Sequence, residues 1–159
     1  MRIGISRRVA FGNIAGFALL AALPACGAMK GAGSSANDQL MSAAQAGNVA
    51  AIQGALADGA DVNAFDYAEG RSARTALSYA AAGNHPDAIR ALVAAGAQVN
   101  LQNNTGFTAL HRAAEAGSTE AAQTLLELGA DKSLRHGGGF TASQVAMESG
   151  HMELADLLK

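Results

Sequence analysis

The sequence predicts an all-α protein built from helix pairs that repeat along the chain. Half of the 159 residues are hydrophobic, yet only 4% are aromatic and tryptophan is absent. A core of alanine and aliphatic side chains suits closely packed helices, whereas sheets favour β-branched and aromatic residues. The dipeptide Gly-Ala also follows three apolar helical segments, at residues 59–60, 96–97 and 129–130, with spacings of 37 and 33. Recurrence at this length indicates stacked structural repeats.

Residues 1–25 are typical of an export signal. Arg2, Arg7 and Arg8 precede an apolar run from Val9 to Leu23, and no acidic residue lies in this segment. The run of fifteen residues is shorter than the roughly 20 that a permanent transmembrane helix needs. We therefore expect a cleaved signal peptide. The export route stays open, because the paired arginines match only part of a twin-arginine signal.

Cys26 is the only cysteine, and it follows Leu23-Pro24-Ala25. This segment is similar to the lipobox of bacterial lipoproteins, although proline is atypical at its position. Lipidation would explain a lone thiol in an exported chain. It implies a lipoprotein on the periplasmic side of the outer membrane, attached to the membrane by its lipid alone. The alternative is ordinary cleavage, for example after Ala28, which would release a soluble periplasmic protein.

The segment 26–36 connects the predicted signal peptide to the rest of the chain. Residues 27–36 are rich in glycine, alanine and serine, which predicts a flexible tether before a folded domain at 37–159.

Removing the three signal-peptide arginines from the net charge of −2 leaves a net charge of −5 for the mature chain. No basic cluster is present, so the composition argues against nucleic-acid binding. We expect a monomer.

Within each repeat the pattern predicts two short helices. A first helix ends at Asn84 or Gly117, residues that tolerate a left-handed backbone. A second helix follows, with Pro86 in its first turn in repeat two and Leu125 and Leu126 at helical spacing in repeat three. Such short helices need neighbours, so the end repeats require polar outer faces. Candidate cap residues are Asp38, Gln39, Ser42, Gln45 and Asn48 at the front, and Glu148, Glu153, Asp156 and Lys159 at the back.

These segments resemble ankyrin repeats, whose pattern is G-x-T-P-L-H-x-A-A, a glycine, a second helix ending in Leu-Leu, and Gly-Ala-Asp. The resemblance covers residues 37–159, in repeats at about 37–66, 67–100, 101–133 and 134–159. Departures are alanine at the proline position in repeats two to four, Ser143 at a buried leucine and Asp38 at a threonine. The third repeat is the closest, with Gly106, Thr108, Leu110, His111, Ala113, Ala114, Gly117, Leu125, Leu126, Gly129, Ala130 and Asp131. The resemblance implies a solenoid of about four helix-turn-helix repeats with β-hairpin fingers and a concave binding surface.

The linking segments 62–74, 99–107 and 133–140 would form these fingers. Asn63 and Thr75 are 12 residues apart, whereas the equivalent distance in the next two fingers is 8. The longer first finger carries Phe65 and Tyr67, and an insertion has no repeat-packing role. A column of large side chains at Arg74, Phe107 and Phe140 either anchors a partner or covers the base of the fingers. The candidate partner-binding residues are Phe65, Tyr67, Arg71, Arg74, Phe107, Glu115, Arg135 and Phe140.

No catalytic or metal site is predicted, and we expect no cofactor. No two histidines have the spacing of a zinc-binding helix, and neither a phosphate loop nor a Gly-x-Ser-x-Gly motif is present. Glu115 and Glu148 occupy equivalent positions, so we expect them to attract a basic partner rather than to catalyse. The histidine at 136 is expected to be a solvated tip residue, or alternatively a pH-sensitive contact. His85, His111 and His151 fill structural positions of the repeat.

The sequence thus predicts a non-enzymatic protein–protein interaction scaffold in the bacterial cell envelope. It would bind a partner protein of unknown identity through its fingers and concave face. Two alternatives stay open: an accessory or regulatory module for an exported enzyme, or a binder of small ligands. A purely structural envelope protein is a further possibility.

Overall fold

The computed structural model describes residues 32–67 and 72–159 of the chain. These residues form eight helices arranged as four contacting pairs, with no sheet in the described part. The helices are α1 (Ala32–Gln45), α2 (Val49–Ala57), α3 (Ala76–Ala82), α4 (Pro86–Ala94), α5 (Ala109–Ala116), α6 (Thr119–Glu127), α7 (Ala142–Glu148) and α8 (Met152–Leu157).

The four pairs stack in chain order. The first helices α1, α3, α5 and α7 contact one another successively, and so do the second helices α2, α4 and α6. The interior is one continuous cluster of alanines and larger aliphatic side chains. Each pair buries its apolar face against its neighbours, which is the arrangement expected for short repeated helices. The predicted all-α repeat fold is confirmed. Its fully buried leucines and isoleucines are Leu40, Ile52, Ile89, Leu92, Leu110, Leu125, Leu154 and Leu158.

A threonine begins the first helix of each of the last three pairs. Thr75, Thr108 and Thr141 have extended backbones, and each side chain accepts a hydrogen bond from the N–H three residues later. Such caps satisfy donors that have no partner inside the helix. His111 and Gln144 complete reciprocal capping boxes in α5 and α7, respectively. The repeated threonine therefore sets the register of the first helices.

Left-handed residues close the turns inside the pairs, as predicted. Gly117 has φ 72°, and Asn84 has φ 56°, the one positive value among the described non-glycine residues. Asn84 also carries a contact between repeats, because its Oδ1 accepts a hydrogen bond of 2.9 Å from the Ala121 N–H. Pro86 occupies the first turn of α4, where its missing N–H leaves no intrahelical bond unmade.

An asparagine at the base of each of the first two fingers links neighbouring repeats. Asn63 Oδ1 accepts from the Gln98 N–H at 2.9 Å, while its Nδ2 donates to the Gly96 carbonyl at 3.2 Å. Asn100 makes the same two bonds to the turn after α6, at 2.8 and 3.1 Å. Each such bond contributes about 0.5–1.5 kcal/mol. The spacing between repeats is thus fixed by polar contacts as well as by the core.

The fingers differ from the expected β-hairpins. In the described residues they contain two isolated bridges, Asp66 with Arg74 and Arg135 with Thr141. In the middle finger, Asn103 Oδ1 accepts hydrogen bonds from the N–H groups of Thr105 and Phe107, each at 2.9 Å. Main-chain N–H groups that donate to a side chain in this way are not free to pair with a neighbouring strand. The β-hairpin form is therefore not confirmed.

The front of the domain begins earlier than predicted. Helix α1 starts at Ala32, inside the segment 26–36 that was expected to be a flexible tether, rather than at residue 37. Residues 32–36 read Ala-Gly-Ser-Ser-Ala, of which only alanine is a strong helix former, so this first turn extends a helix that is anchored by buried Leu40 and Ala44. The predicted signal peptide, the first part of the tether, Cys26 and Arg71 lie outside the described residues.

The two ends of the stack carry polar side chains, as predicted, but the back end is less polar. All the proposed front cap residues and back cap residues are exposed. Met147 and Leu157 are also 42% and 39% exposed. Ser143, at the position of a buried leucine, is itself buried and donates to the Ala155 carbonyl at 2.8 Å.

Across residues 32–67 and 72–159, no helix has the length and apolar character required to cross a membrane.

Candidate partner-binding surface

Side chains from the three fingers and from helices α3, α5 and α7 form what we call the finger surface. At its first finger, Asp66 and Arg74 exchange main-chain hydrogen bonds of 2.8 and 3.2 Å. The Tyr79 hydroxyl on α3 donates to Asp66 Oδ2 at 2.6 Å. The Arg74 guanidinium carbon lies 5.6 Å from the centre of the Tyr79 ring, within the range of cation–π contact. The base of the long finger is therefore fixed to helix α3.

The two predicted aromatics of the long finger lie side by side. The ring centres of Phe65 and Tyr67 are 6.0 Å apart. Tyr67 is 71% exposed, whereas Phe65 is half-buried. Tyr67 therefore presents an aromatic ring that has little packing role. Arg71, predicted to lie beside them, is outside the described residues.

Arg112 on α5 was not among the predicted residues, yet it connects three parts of the surface. Its side chain is only 7% exposed, and Nη1 lies 2.7 Å from Glu115 Oε2. Its guanidinium carbon lies 4.4 Å from the centre of the Phe107 ring, and Nη2 donates to Ser72 Oγ of the first finger. A guanidinium can make all these contacts because it is planar and has five donors. Glu115 is half-exposed, and its charge is compensated by Arg112, which weakens its expected attraction for a basic partner.

The expectation that His136 is a solvated tip residue is wrong. His136 is half-buried, and its ring stacks on Phe107 with centres 4.6 Å apart and planes 29° apart. It also lies 5.7 Å from His111 and 5.6 Å from Phe140, measured between ring centres. The third finger reaches the second because the Gly137 N–H donates to the Thr105 carbonyl at 2.8 Å. His136 is therefore a packing residue between the second and third fingers, and the alternative of a pH-sensitive contact is not tested.

The predicted structural role of His111 is confirmed. Its ring is buried; Nδ1 contacts Thr108 Oγ1 at 2.8 Å, and Nε2 lies 3.3 Å from the Phe140 carbonyl oxygen. Burial lowers the pKa of His111, and the nearby His136 and Arg112 act in the same direction. The hydrogen bond to the Phe140 carbonyl raises the pKa of His111 in part, because a charged ring donates a stronger bond to that oxygen than a neutral ring does. His111 is therefore a neutral ring that caps α5 and holds the third finger.

The column formed by Arg74, Phe107 and Phe140 covers the bases of the fingers, and its predicted role as a partner anchor stays a prediction. Arg74 and Phe107 are half-buried and cover the bases of their fingers. Phe140 is 37% exposed at the far end of the row. Arg135, also exposed, donates from Nη1 to the Gly139 carbonyl at 2.6 Å and so stiffens its own finger. The predicted residues thus form an ordered row with a packed middle and exposed ends.

The residues that sequence reasoning missed share one position. Tyr79 and Arg112 both stand four residues after a capping threonine, so they occupy the same place on successive first helices. That register was readable from the sequence. The contacts of these two side chains, however, depend on neighbouring fingers and are not visible in the local sequence.

The two remaining histidines have structural roles, as predicted. His85 precedes α4, and its Nε2 lies 3.0 Å from the Gln45 carbonyl oxygen of the preceding pair. A Cβ placed on Gly47 would approach the His85 ring to 2.6 Å, and one on Gly117 would approach the His151 ring to 2.5 Å. These rings fill the turns of the preceding repeats. In the described residues no group of three or more His, Cys, Asp or Glu side chains is placed to hold a metal ion.

A family model described as ankyrin repeats (three copies) matches residues 40–136. The chain belongs to the ankyrin repeat family. No curated protein matches the sequence. Ankyrin repeats generally mediate protein–protein interactions and are typically non-enzymatic. In this ankyrin repeat protein the matched segment runs from α1 into the third finger, and the pair α7–α8 continues the same stacking.

Proposed function

We propose that this ankyrin repeat protein is a non-enzymatic scaffold of the bacterial cell envelope that binds a partner protein through the finger surface. The observation that carries the proposal is a row of aromatic and arginine side chains spanning all three fingers. Tyr67 packs beside Phe65 and Arg74 over Tyr79 at the first finger, Arg112 lies over Phe107 at the second, and Phe140 packs beside His136 at the third.

The physical properties of this row suit a protein partner. Tyrosine and arginine are enriched among the residues that dominate binding energy at protein interfaces. Their rotamers are restrained before binding, since Arg112 is held by Glu115 and Ser72 and Tyr79 by Asp66. Restraint of this kind reduces the entropy lost on association. The exposed ends at Tyr67 and Phe140 leave apolar area for a partner to cover.

Support for the envelope location comes from the sequence. The apolar N-terminal segment and the lipobox-like residues before Cys26 favour export and lipidation. With an anchor at Cys26, residues 27–31 would separate the lipid from α1. Five residues span at most about 18 Å. The domain would then lie close to the membrane, so its partner is expected to be an envelope protein.

Site-specific photo-cross-linking in intact cells tests the surface. A photoreactive phenylalanine is placed at Tyr67, at Phe140, and at the control position Gln123, which is exposed on α6. We expect cross-links from Tyr67 and Phe140 to the same protein and none from Gln123. Cross-links from Gln123 alone would move the binding site to the second helices and contradict the proposal.

A further inference from the structure

The last helix pair carries an open groove on its outer side, which we call the back groove. Its volume is about 520 Å³, and its floor contains Met147 of α7 and the buried Leu158 that ends α8. Met147 stands six residues after a capping threonine and is 42% exposed. Ala81 and Ala114 hold the same position in repeats two and three, and both are fully buried. The back groove therefore occupies the face that inner pairs bury inside the stack.

The rim of the back groove is positively charged. Lys132, Arg135 and Lys159 line it together with hydroxyl and amide side chains, and no carboxylate side chain does. Asp156 pairs with Lys159, whereas Lys132 and Arg135 donate to the main-chain oxygens of Lys159 and Gly139. An apolar floor with a cationic rim suits a surface that is itself apolar and carries carboxylates.

The first helix pair offers such a surface in a second open groove, the front groove, between α1 and α2. Its volume is about 480 Å³, and its wall includes Ala51, Gly54 and Ala55. Ala51 stands three residues after the residue that caps α2, and it is exposed. Ala88 and Ala121 hold the same position in α4 and α6, and both are fully buried. Among the described residues, the front groove is thus also a stacking face without a neighbouring repeat.

The charge of the front groove is opposite to that of the back groove. Residues 32–67 contain four aspartates and no lysine, arginine or histidine. Asp58 lines the front groove at the end of α2, and Lys159 lines the back groove just beyond the end of α8. Both stand at the same end of a second helix, so a second copy stacked in the register of the repeats would bring them together. Two front ends, or two back ends, would place like charges against each other.

We propose that the protein associates with itself front to back: the first helix pair of one copy docks in the back groove of another copy and continues the stack. This arrangement replaces the monomer expected from the sequence. Because the two docking faces are different, the contact can repeat and gives rows of copies rather than closed dimers. The association depends on neither the finger surface nor a partner protein.

The junction between copies is weaker than the junctions inside the chain. Inside the chain, Asn63 and Asn100 each accept a hydrogen bond from a main-chain N–H of the next repeat. Ser133 stands at the equivalent position of the third finger. The equivalent N–H at the front, that of Asp61, already donates to Asn37 of α1 at 2.8 Å. The association therefore rests on the two grooves and their charges and is reversible.

Cysteine cross-linking of the purified protein, as cells produce it, tests the orientation. One variant carries Ser42→Cys in the front groove, and a second carries Met147→Cys in the back groove. Both positions are exposed, so neither change threatens the fold. With a short bismaleimide, we expect the mixture of the two variants to form dimers and each variant alone to stay monomeric. The parent protein, which has Cys26 alone, is the blank.

Charge reversal tests whether the rims select the docking face. Adding Lys159→Glu to the Met147→Cys protein should lower the dimer yield with the Ser42→Cys protein at least about threefold. Adding Asp58→Lys to the Ser42→Cys protein should then restore much of that yield, because the two charges are exchanged. The matched control is Arg90→Glu in the Met147→Cys protein, since Arg90 is an exposed cation on α4 that lines neither groove.

Absence of dimers in the mixture would overturn the proposal, and so would equal cross-linking of either variant with itself. Equal yields with Lys159→Glu and with Arg90→Glu would overturn the role of the charged rims. The cross-links from Tyr67 and Phe140 to a partner test the proposed function separately.

Discussion

The imidazole of His111 and the main-chain oxygen of Phe140 are joined across two repeats by a contact of 3.3 Å. The same ring caps α5 through Thr108, so one side chain both starts a helix and holds the next finger. Its neutral form makes both contacts. Because burial lowers the pKa of His111, we expect the stability of the third and fourth repeats to depend on pH.

Stability should fall on mild acidification because of His111. Burial lowers the pKa of His111 in the folded protein, so the unfolded chain takes up a proton more readily. The contribution is fully present above the ordinary value of 6.5 and is lost as the pH falls from that value through the lower folded-state pKa. Urea melts at a series of pH values measure the free energy of unfolding. In His111→Gln the decline over this range should be smaller, and an identical decline would contradict the assignment.

Leu125→Ala should destabilise the domain by about 2–4 kcal/mol, because Leu125 is fully buried between neighbouring repeats. The control is Leu157→Ala. Leu157 is 39% exposed in the last helix, so the same truncation should cost clearly less. Urea unfolding of both variants gives the comparison. Equal losses would be inconsistent with the stacking order described.

Replacing both Phe65 and Tyr67 with alanine should leave the helical circular dichroism and Tm nearly unchanged. Neither ring belongs to the buried core cluster, although half-buried Phe65 adds a small packing loss. Partner affinity should fall at least about tenfold, equivalent to about 1.4 kcal/mol. Tyr67→Ala alone separates the two rings. An unfolded double variant would mean that these aromatics are structural, and normal binding would place the partner on another face.

Arg112→Ala should be more destabilising than Arg90→Ala. Arg112 is buried, and charge-assisted hydrogen bonds and ring contacts of its kind contribute about 2–3 kcal/mol. Arg90 forms a 3.2 Å ion pair with Glu127 in which both side chains are more than half exposed, and such pairs contribute little. Chemical denaturation of the two variants provides the measurement. A larger loss for Arg90 would show that Arg112 does not hold the fingers.

Cys26 should be the first residue of the mature protein and should carry lipid. The lipobox-like segment and the lone thiol motivate this prediction. Intact mass spectrometry of the membrane-associated protein should give a lipid-modified chain that begins at residue 26. Cys26→Ser should leave the protein unprocessed at this site. An unmodified N-terminus at Ala28 or later would disprove lipidation.

Much of the fold could be predicted because its determinants are local and repeated. Thr108 and Thr141 cap helices through hydrogen bonds to residues three positions away, and Gly117 closes a turn through its own backbone. Buried Leu125 lies at a helical spacing that is visible within nine residues of sequence. Such short-range patterns can be read from the sequence without knowledge of the neighbouring repeats. The start of α1 at Ala32 was missed because a small-residue segment has no apolar pattern to mark it.

The site was predicted less completely, because its key contacts join residues far apart in the chain. The sequence by itself determined the repeat register, the caps, the turns, the buried leucines and the candidate finger residues. The tertiary structure decided that Arg112 reaches Ser72, 40 positions earlier, and that His136 stacks on Phe107 instead of standing in solvent. Those contacts exist because stacking brings successive fingers together. A side chain's burial there depends on the neighbouring repeat, which no local pattern encodes.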